Sequence, residues 1–266
     1  MATEYTIYIV NANGDGQLFW AFLSKPEVTN APDVFANSDT NLYIPGGSTN
    51  LNSFTIPVQY VIGAGASNNA VGLKTVIKSS ATRNTELEKL WNVDYANVPP
   101  RQGPSFPQNP SGPSPSGTIA MKTNVFDQIK NEANEWYESM SFGLKTSQGF
   151  MGVTWKPGPN KTYTITPTLT FYINVGNYSA NSLASITAIA NESAKCNTAK
   201  DFDVLNQCTV TYTATGEWKV APGKPSQALL DSSKNAMLNF LLIWCIMIVI
   251  ASDSKAISKR FSIASF

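Results

Sequence analysis

The sequence predicts a mainly β protein, best described as β-sandwich-like with one or two helices and a Pro-rich loop. Three observations support this class: short runs of β-branched and aromatic residues, turn-forming residues between those runs, and few charged side chains. Charged residues make up 14% of the 266-residue chain, whereas ~25% is usual in soluble domains. Asn, Ser and Thr supply the polarity instead. A helix-capped β-barrel is the alternative architecture.

The first part of the chain contains two predicted hairpins. Tyr5–Asn11 and Gln17–Ser24 are rich in strand-forming residues, and the Asp-Gly turn between them indicates an opening hairpin. Ser53–Gly63 and Ala70–Ser79 are predicted to form a second hairpin. Pro57 cannot donate a ladder hydrogen bond, so it places the first strand of this pair at a sheet edge or at a bulge.

Two segments have helical spacing. Leu87, Leu90 and Trp91 predict a short helix from Thr85 to about Tyr95. A second and longer helix is predicted over 123–143, with Asn124 at its start and Gly143 just after its end. Its apolar stripe consists of Phe126, Ile129, Ala133, Trp136 and Met140.

The domain organisation follows from these elements. Residues 1–97 form an N-terminal β-rich half, and the Pro-rich segment 98–117 is predicted to be a long loop or linker. Residues 118–222 add the longer helix and more strands of the same domain. Residues 223–266 form an atypical hydrophobic tail. The later strands are predicted at Gly149–Pro157, Lys161–Gly176 (bent at Pro167), Leu183–Ala190 and Gln207–Ala221.

The absence of histidine restricts the chemistry of the whole chain. It excludes Ser-His-Asp and Cys-His nucleophile systems, imidazole acid/base catalysis and every His-containing metal site. Three cysteines cannot form a Cys₄ zinc site. The sequence therefore assigns no catalytic residue, no metal ligand and no cofactor, and it favours a binding protein over an enzyme.

Two glycine-containing motifs resemble known ligand loops but depart from them. Asn11–Gly16 fits the start of a calcium loop, yet its twelfth position is Phe22 instead of a bidentate Glu. Gly63–Ser67 is similar to a dinucleotide-binding loop, yet Asn68 stands where the third glycine belongs. We interpret both motifs as turns.

Glu132, Glu135 and Glu138 recur every three residues on the longer predicted helix. Such a face of carboxylates is able to bind a cation or to serve in acid/base chemistry. The favoured interpretation is a solvated helix face opposite the apolar stripe.

Aromatic side chains beside turns are the candidate ligand-binding residues. Tyr178 and Trp218 are assigned this role, because aromatic faces combined with amide side chains suit a sugar or another small molecule. Phe19 and Trp20 are assigned to the core. The predicted partner is a small molecule, a glycan or a protein. Nucleic acid is not predicted, because the net charge is only +1 and the cationic residues are scattered.

The compartment is predicted from the N-terminus, which lacks the features of a secretory signal. The protein is therefore expected to be cytoplasmic, where thiols stay reduced. Pairing between Cys196 and Cys208 is left open.

The hydrophobic tail allows three interpretations. The first is a membrane anchor, and the second is a buried or interfacial helix. The third is that everything after about Gly223 is a retained intron or a gene-model error, in which non-coding sequence has been translated. The apolar run is short for a hydrocarbon core of ~30 Å, and Lys255, Lys259 and Arg260 would have to cross the bilayer. The candidate membrane residues within Phe240–Ala251 are Phe240, Leu241, Leu242, Ile243, Trp244, Ile246, Met247, Ile248, Val249 and Ile250.

The opening of the chain carries a spaced pattern of Asn, Gly, Gln, Phe and Pro. Its members are Asn11, Gly14, Gln17, Phe19, Phe22 and Pro26. Over about the first 80 residues this pattern resembles a loose group of microbial, mostly fungal, β-rich proteins. The resemblance implies no activity, cofactor or site residue.

Three functional hypotheses follow. The first is a non-enzymatic cytoplasmic β-sandwich protein that binds a carbohydrate or small molecule, or another macromolecule, through its loops. The second is a membrane-associated protein held by the C-terminal tail. The third is a histidine-independent enzyme that uses carboxylate or Tyr chemistry.

Overall fold

The computed structural model of the protein describes residues 3–234. Within this range the chain is mainly β, and its helices are short. The helices are α1 (Gln128–Ala133), α2 (Ile186–Glu192) and a third that covers 227–234. The strands are β1 (Glu4–Asn11), β2 (Gln17–Leu23), β3 (Glu27–Val28), β4 (Val34–Ser38), β5 (Asn41–Ile44), β6 (Asn52–Pro57), β7 (Tyr60–Ser67), β8 (Ala81–Thr85), β9 (Lys89–Val93), β10 (Gly112–Pro113), β11 (Ile119–Thr123), β12 (Tyr137–Thr146), β13 (Gly149–Trp155), β14 (Thr162–Thr166), β15 (Thr170–Val175), β16 (Ser182–Ala184), β17 (Ala194–Asn197), β18 (Gln207–Tyr212) and β19 (Trp218–Pro222).

The strands form four sheets that pack together as a β-sandwich. Their strand orders are β19-β18-β1-β6, β10-β9-β11-β14-β3, β16-β4-β13-β12-β7-β8 and β17-β15-β2-β5. The predicted fold class is confirmed. The barrel alternative is wrong, because no sheet closes into a barrel within residues 3–234.

One continuous apolar core is shared by all four sheets. Ile7 of β1, Phe19 of β2, Phe142 of β12, Tyr163 of β14 and Phe171 of β15 are each at most 1% exposed. Successive side chains of a strand point to opposite faces, so one face of each sheet meets this core. The core assignment of Phe19 and Trp20 is confirmed; Trp20 belongs to a smaller cluster beside α2.

The prediction that the first two strands form a hairpin is wrong, although both strands are confirmed. β1 pairs with β18 and β6, whereas β2 pairs with β5 and β15 in a different sheet. Asn11–Gly16 is therefore a loop between packed sheets. It is held by hydrogen bonds from the Asn13 and Asp15 amides to the Asn11 and Asn13 side chains, at 3.2 and 3.0 Å. Most of β2 is buried on both faces, which is typical of a strand with neighbours on each side.

The second predicted hairpin is also wrong. Ser53–Gly63 is divided between β6 and β7, and β6 ends at Pro57 on a sheet edge, as the proline predicted. Ala70–Ser79 is not a named strand. β7 instead pairs with β12 on one side and with β8 on the other.

The helix predicted from Thr85 to about Tyr95 is wrong. This segment ends β8, turns at Glu88 (φ 65°) and continues as β9. Burial alternates from Trp91 to Tyr95, and the Trp91 indole donates a 2.8 Å hydrogen bond to the Thr85 hydroxyl. The helical spacing misleads because Leu87 is 40% exposed and contributes little to a buried face.

The longer predicted helix is mostly wrong. Only Gln128–Ala133 is helical, with Asp127 as its N-cap, and Ile129 of the predicted stripe is 84% exposed. β12 follows at Tyr137, and Gly143 lies inside this strand. The strand pattern with period two, which begins at Glu138, prevails over the helical pattern because β12 is paired with a strand on each side.

The Pro-rich segment 98–117 lies against the β8–β9 region. Val98 and Phe106 are buried, and the Arg83 guanidinium donates to the carbonyls of Phe106 and Pro107. Strands from before and after this segment share sheets, since β9 pairs with β11 and β7 with β12.

The predicted strand Leu183–Ala190 is only partly correct. β16 ends at Ala184, and α2 begins after Ser185, whose side chain accepts a hydrogen bond from the Ala188 amide. The bend at Pro167 is confirmed, because β14 ends just before this residue and β15 begins shortly after it. β18 and β19 form a hairpin over the predicted strand segment Gln207–Ala221.

The described chain includes a short helix after Gly223. In the helix 227–234, Leu230 is buried, and the Ser233 hydroxyl donates a 3.3 Å hydrogen bond to the Ser48 carbonyl. Among residues 3–234, no helix has the length and apolar character needed to cross a membrane. The predicted anchor Phe240–Ala251 lies outside the described residues.

Candidate functional site

A polar cleft lies on the face of the six-stranded sheet that is turned away from the core. Its volume is about 380 Å³. Strand β12 shows how the two faces differ: Met140 and Phe142 point into the core, whereas Ser141 and Lys145 line the cleft. The floor of the cleft is formed by β7, β12, β13 and β4.

The segment 71–80 forms the roof of this cleft. At one edge of the sheet, Val76 is bridged to Ser182 of β16. At the other edge, the chain continues into β8, which pairs with β7. Between these edges, Ile77, Lys78 and Ser79 line the cleft. The segment therefore crosses the outer face of the sheet from one edge to the other.

Glycines in β7 allow the roof to lie close to the sheet. A Cβ at Gly63 would overlap the hydroxyls of Ser79 and Ser141, which share a 2.8 Å hydrogen bond. A Cβ at Gly65 would lie 2.7 Å from the Lys78 carbonyl oxygen. The interpretation of Gly63–Ser67 as a turn is wrong, because all five residues belong to β7 and its glycines serve close packing.

Three polar side chains that line the cleft have fixed orientations. The Thr154 hydroxyl donates a 2.9 Å hydrogen bond to the side-chain oxygen of Asn37, so both groups have a set orientation. The Asp39 carboxylate accepts a 2.8 Å hydrogen bond from the Phe150 amide. Gly149 (φ 142°) makes this approach possible, since a Cβ there would lie 2.7 Å from the carboxylate.

The cleft also carries positive charge. Lys78 and Lys145 are exposed side chains that line it. The ion pair found in the described part of the chain joins Lys156 to Glu132 at 2.7 Å, and neither cleft lysine forms one there. Two ammonium groups and the Asp39 carboxylate are therefore available beside hydroxyl and amide groups. The remaining polar lining consists of Ser79, Thr82, Ser141, Thr146, Thr154, Asn37 and Asn181.

The aromatic residues assigned to ligand binding lie elsewhere. The Tyr178 ring packs edge-on against Trp20 and Phe22, with ring centroids 5.6 and 5.2 Å apart. The Trp218 ring packs against Tyr212 at 4.7 Å, and its indole donates a 3.0 Å hydrogen bond to the Glu192 carbonyl. Neither residue lines the cleft, and their ligand-binding role stays a prediction.

The three spaced glutamates do not share one solvated face. Glu135 is exposed and Glu132 forms the ion pair with Lys156, but Glu138 is only 1% exposed. The Asn131 amide donates to one oxygen of Glu138, and the other oxygen has no partner among the described residues. Burial raises the pKa of Glu138. Glu138 does not line the cleft, and it lies on the same face of β12 as Met140 and Phe142, which point into the core.

The remaining candidate groups are structural. The thiols of Cys196 and Cys208 are free, and both are fully buried between two packed sheets. A hydrogen bond with the Cys196 thiol, together with burial, raises the pKa of Cys208. Residues 3–234 contain no group of three acidic, Cys or His side chains placed to hold a metal ion.

Comparison with known proteins provides no activity. The chain matches no protein-family model, no curated protein sequence and no solved structure at a significant level. The fold and the cleft thus define a class only: a β-sandwich protein with a roofed polar cleft on the outer face of one sheet. Its function must be inferred from that geometry.

Sequence reasoning missed the cleft residues, although a signal was present. In β12, residues 139–145 alternate between small or polar and large apolar side chains. In β7, Gly63 and Gly65 leave the corresponding face without side chains. Such alternation predicts a strand with one face free of bulky side chains. The helical interpretation of 123–143 concealed it.

Proposed function

We propose that the protein is a non-enzymatic binding protein that holds a sugar in the roofed cleft. The observation that carries this proposal is the composition of the cleft. Fixed amide, hydroxyl and carboxylate groups line one concavity of about 380 Å³ together with the Phe150 ring. Ligand sites of this size combine a few oriented polar groups with apolar surface.

The chemistry of a sugar fits these groups. Each sugar hydroxyl both donates and accepts hydrogen bonds, and the side chains of Asn37, Ser141 and Thr154 do the same. The Asp39 carboxylate accepts from two hydroxyls at once, and hydrogen bonds to a charged group are the stronger ones. The apolar face of a sugar ring packs against an aromatic ring such as that of Phe150.

The placement of carboxylates favours binding over hydrolysis. Glycoside hydrolysis uses two carboxyl groups that flank the scissile bond. Asp39 is the carboxylate among the residues that line this cleft. Glu138, whose pKa is raised by burial, lies on the opposite face of the sheet.

A calorimetric titration tests the proposal. The purified protein is titrated with glucose, galactose, mannose, N-acetylglucosamine and glucuronic acid. We expect saturable binding of at least one of them, and we expect Asp39→Ala to weaken it by about tenfold or more, corresponding to ~1.4 kcal/mol or above.

Matched variants identify the binding surface. Asp94→Ala removes an exposed carboxylate outside the cleft and controls for Asp39→Ala. Lys145→Ala is compared with Lys122→Ala, which removes an exposed strand lysine from a different sheet. Equal effects of a cleft variant and its control, or a complete absence of binding, would reject the cleft as a sugar site.

Membrane association through Phe240–Ala251 stays a separate proposal, supported by the apolar character of that run. Its test is a truncation after residue 234, which retains every residue described here. An unchanged membrane fraction in the truncated protein would exclude the anchor.

A further inference from the structure

A second cleft lies beside the first, between Phe35 of β4, Tyr163 of β14 and the neighbouring loops. Its volume is about 350 Å³. Phe35 of β4 and Lys156, just beyond the end of β13, are among the residues that line it. The first cleft uses Asn37 of β4 and Thr154 of β13.

Strand register places the two clefts end to end. Thr154 of the first cleft and Phe35 of the second are direct cross-strand partners. Along β4, Asn37 and Phe35 are two residues apart and share a face. On the neighbouring β13, Thr154 and Lys156 are also two residues apart, with Lys156 just beyond the end of the strand. Two residues of a strand span ~6.6 Å. The polar lining therefore continues from one cleft into the next without a change of sheet face.

One roof covers both clefts. Val71, which lines the second cleft, and Ile77, which lines the first, belong to the same crossing segment. Both side chains are turned towards the sheet, since Ile77 is 6% exposed and Val71 is half-buried. The two clefts are thus adjacent along β4, and residues of the crossing segment line both of them.

The second cleft repeats the chemistry of the first. Asn30, Asp33 and Lys161 supply amide, carboxylate and ammonium groups, and Phe35 supplies an aromatic face. The Tyr163 hydroxyl is fixed by a 2.6 Å hydrogen bond from the Gly158 amide. A second sugar unit would meet the same kinds of partner as the first.

We propose that the two clefts are successive subsites of one groove, and that the ligand is a linear oligosaccharide lying along β4 and β13. This inference rests on the proposed sugar-binding function and extends it from one sugar unit to a chain. A ligand that fills both subsites buries more surface and makes more hydrogen bonds than a ligand in one, without any change in the fold.

Chain length is the variable that tests the groove. The probes are mono-, di-, tri- and tetrasaccharides of whichever sugar binds in the panel above, titrated under the same conditions. We expect the tetrasaccharide to bind about tenfold or more tightly than the monosaccharide, a difference of ~1.4 kcal/mol. Val71→Trp, which fills the second cleft, is expected to remove this gain. Val204→Trp, at a 99% exposed loop position, is the control.

The outcomes separate the two proposals. If monosaccharides bind but affinity does not rise with chain length, or if Val71→Trp does not reduce the gain, the groove is overturned and the single-site proposal stands. If no saccharide of any length binds, both proposals are overturned together. A gain that Val71→Trp abolishes and Val204→Trp preserves supports the groove.

Discussion

The two faces of the six-stranded sheet carry different kinds of side chain. In β12, Met140, Phe142 and Leu144 are fully buried in the core, while the alternate positions carry Ser141 and Gly143. The core face stabilises the sandwich by burying apolar surface. The outer face contributes little apolar area, and its small side chains leave room for the roof segment and for a ligand. If the proposed function holds, stability and binding depend on opposite faces of one strand.

The largest expected effect is on the core face. Phe142→Ala is expected to lower the free energy of unfolding by ~3–5 kcal/mol, because a buried aromatic ring is replaced by a cavity. Ser141→Ala, one residue away on the outer face, removes only the hydrogen bond with Ser79, worth ~0.5–1.5 kcal/mol. Urea unfolding of both variants checks this difference. Equal losses of stability would contradict the division between the faces.

A smaller effect on stability, but a large one on binding, is expected at Gly63. Gly63→Val introduces side-chain atoms where the hydroxyls of Ser79 and Ser141 already lie. Overpacking of this kind costs ~1–3 kcal/mol, and displacement of the roof is expected to abolish sugar binding. The measurement combines thermal unfolding with sugar titration. Retained affinity in a folded Gly63→Val protein would show that the roof is not needed for binding.

Glu138 is the polar exception on the core face, and it predicts a pH dependence. Burial raises its pKa in the folded state, so the folded protein binds this proton more tightly than the unfolded chain does. The stabilising contribution is complete below the ordinary pKa of 4.5 and is lost as the pH rises through the raised value. Glu138→Gln stays neutral, so its stability relative to the wild type is expected to increase as the pH rises through this range.

Urea unfolding at a series of pH values checks this prediction. Glu135→Gln makes the same substitution at an exposed position and is the matched control. A stability difference between Glu138→Gln and the wild type that does not vary with pH would show that the pKa of Glu138 is the same in the folded and unfolded states, which would contradict the prediction.

The smallest expected effect concerns the two aromatic residues far from the cleft lining. Tyr178→Phe and Trp218→Phe keep an aromatic ring at each position and remove its polar group. Sugar affinity is expected to stay within about twofold of the wild type, or ~0.4 kcal/mol. A loss comparable to that of Asp39→Ala would move the binding site from the cleft to these rings, as the sequence alone predicted.

The β class and most strand positions could be predicted from local patterns. β1, β2, β13 and β18 lie close to their predicted positions, because runs of β-branched and aromatic residues favour extended backbone wherever they pair. The helices were misplaced because apolar residues at helical spacing, such as Leu90 and Trp91, also fit a strand with alternating burial. Local spacing does not tell which neighbours a segment will have.

The sequence by itself determined that this is a mainly β protein without histidine chemistry, because composition and residue type alone decide both. Only the tertiary structure decided the strand pairing and the cleft. Asn37, Gly63, Ser79 and Thr154 are distant in the chain and meet because β4, β13, β12 and β7 are neighbours in one sheet, with 71–80 lying across it. Such pairing depends on long-range contacts among many strands of similar local preference, and those contacts are made only when the whole core forms.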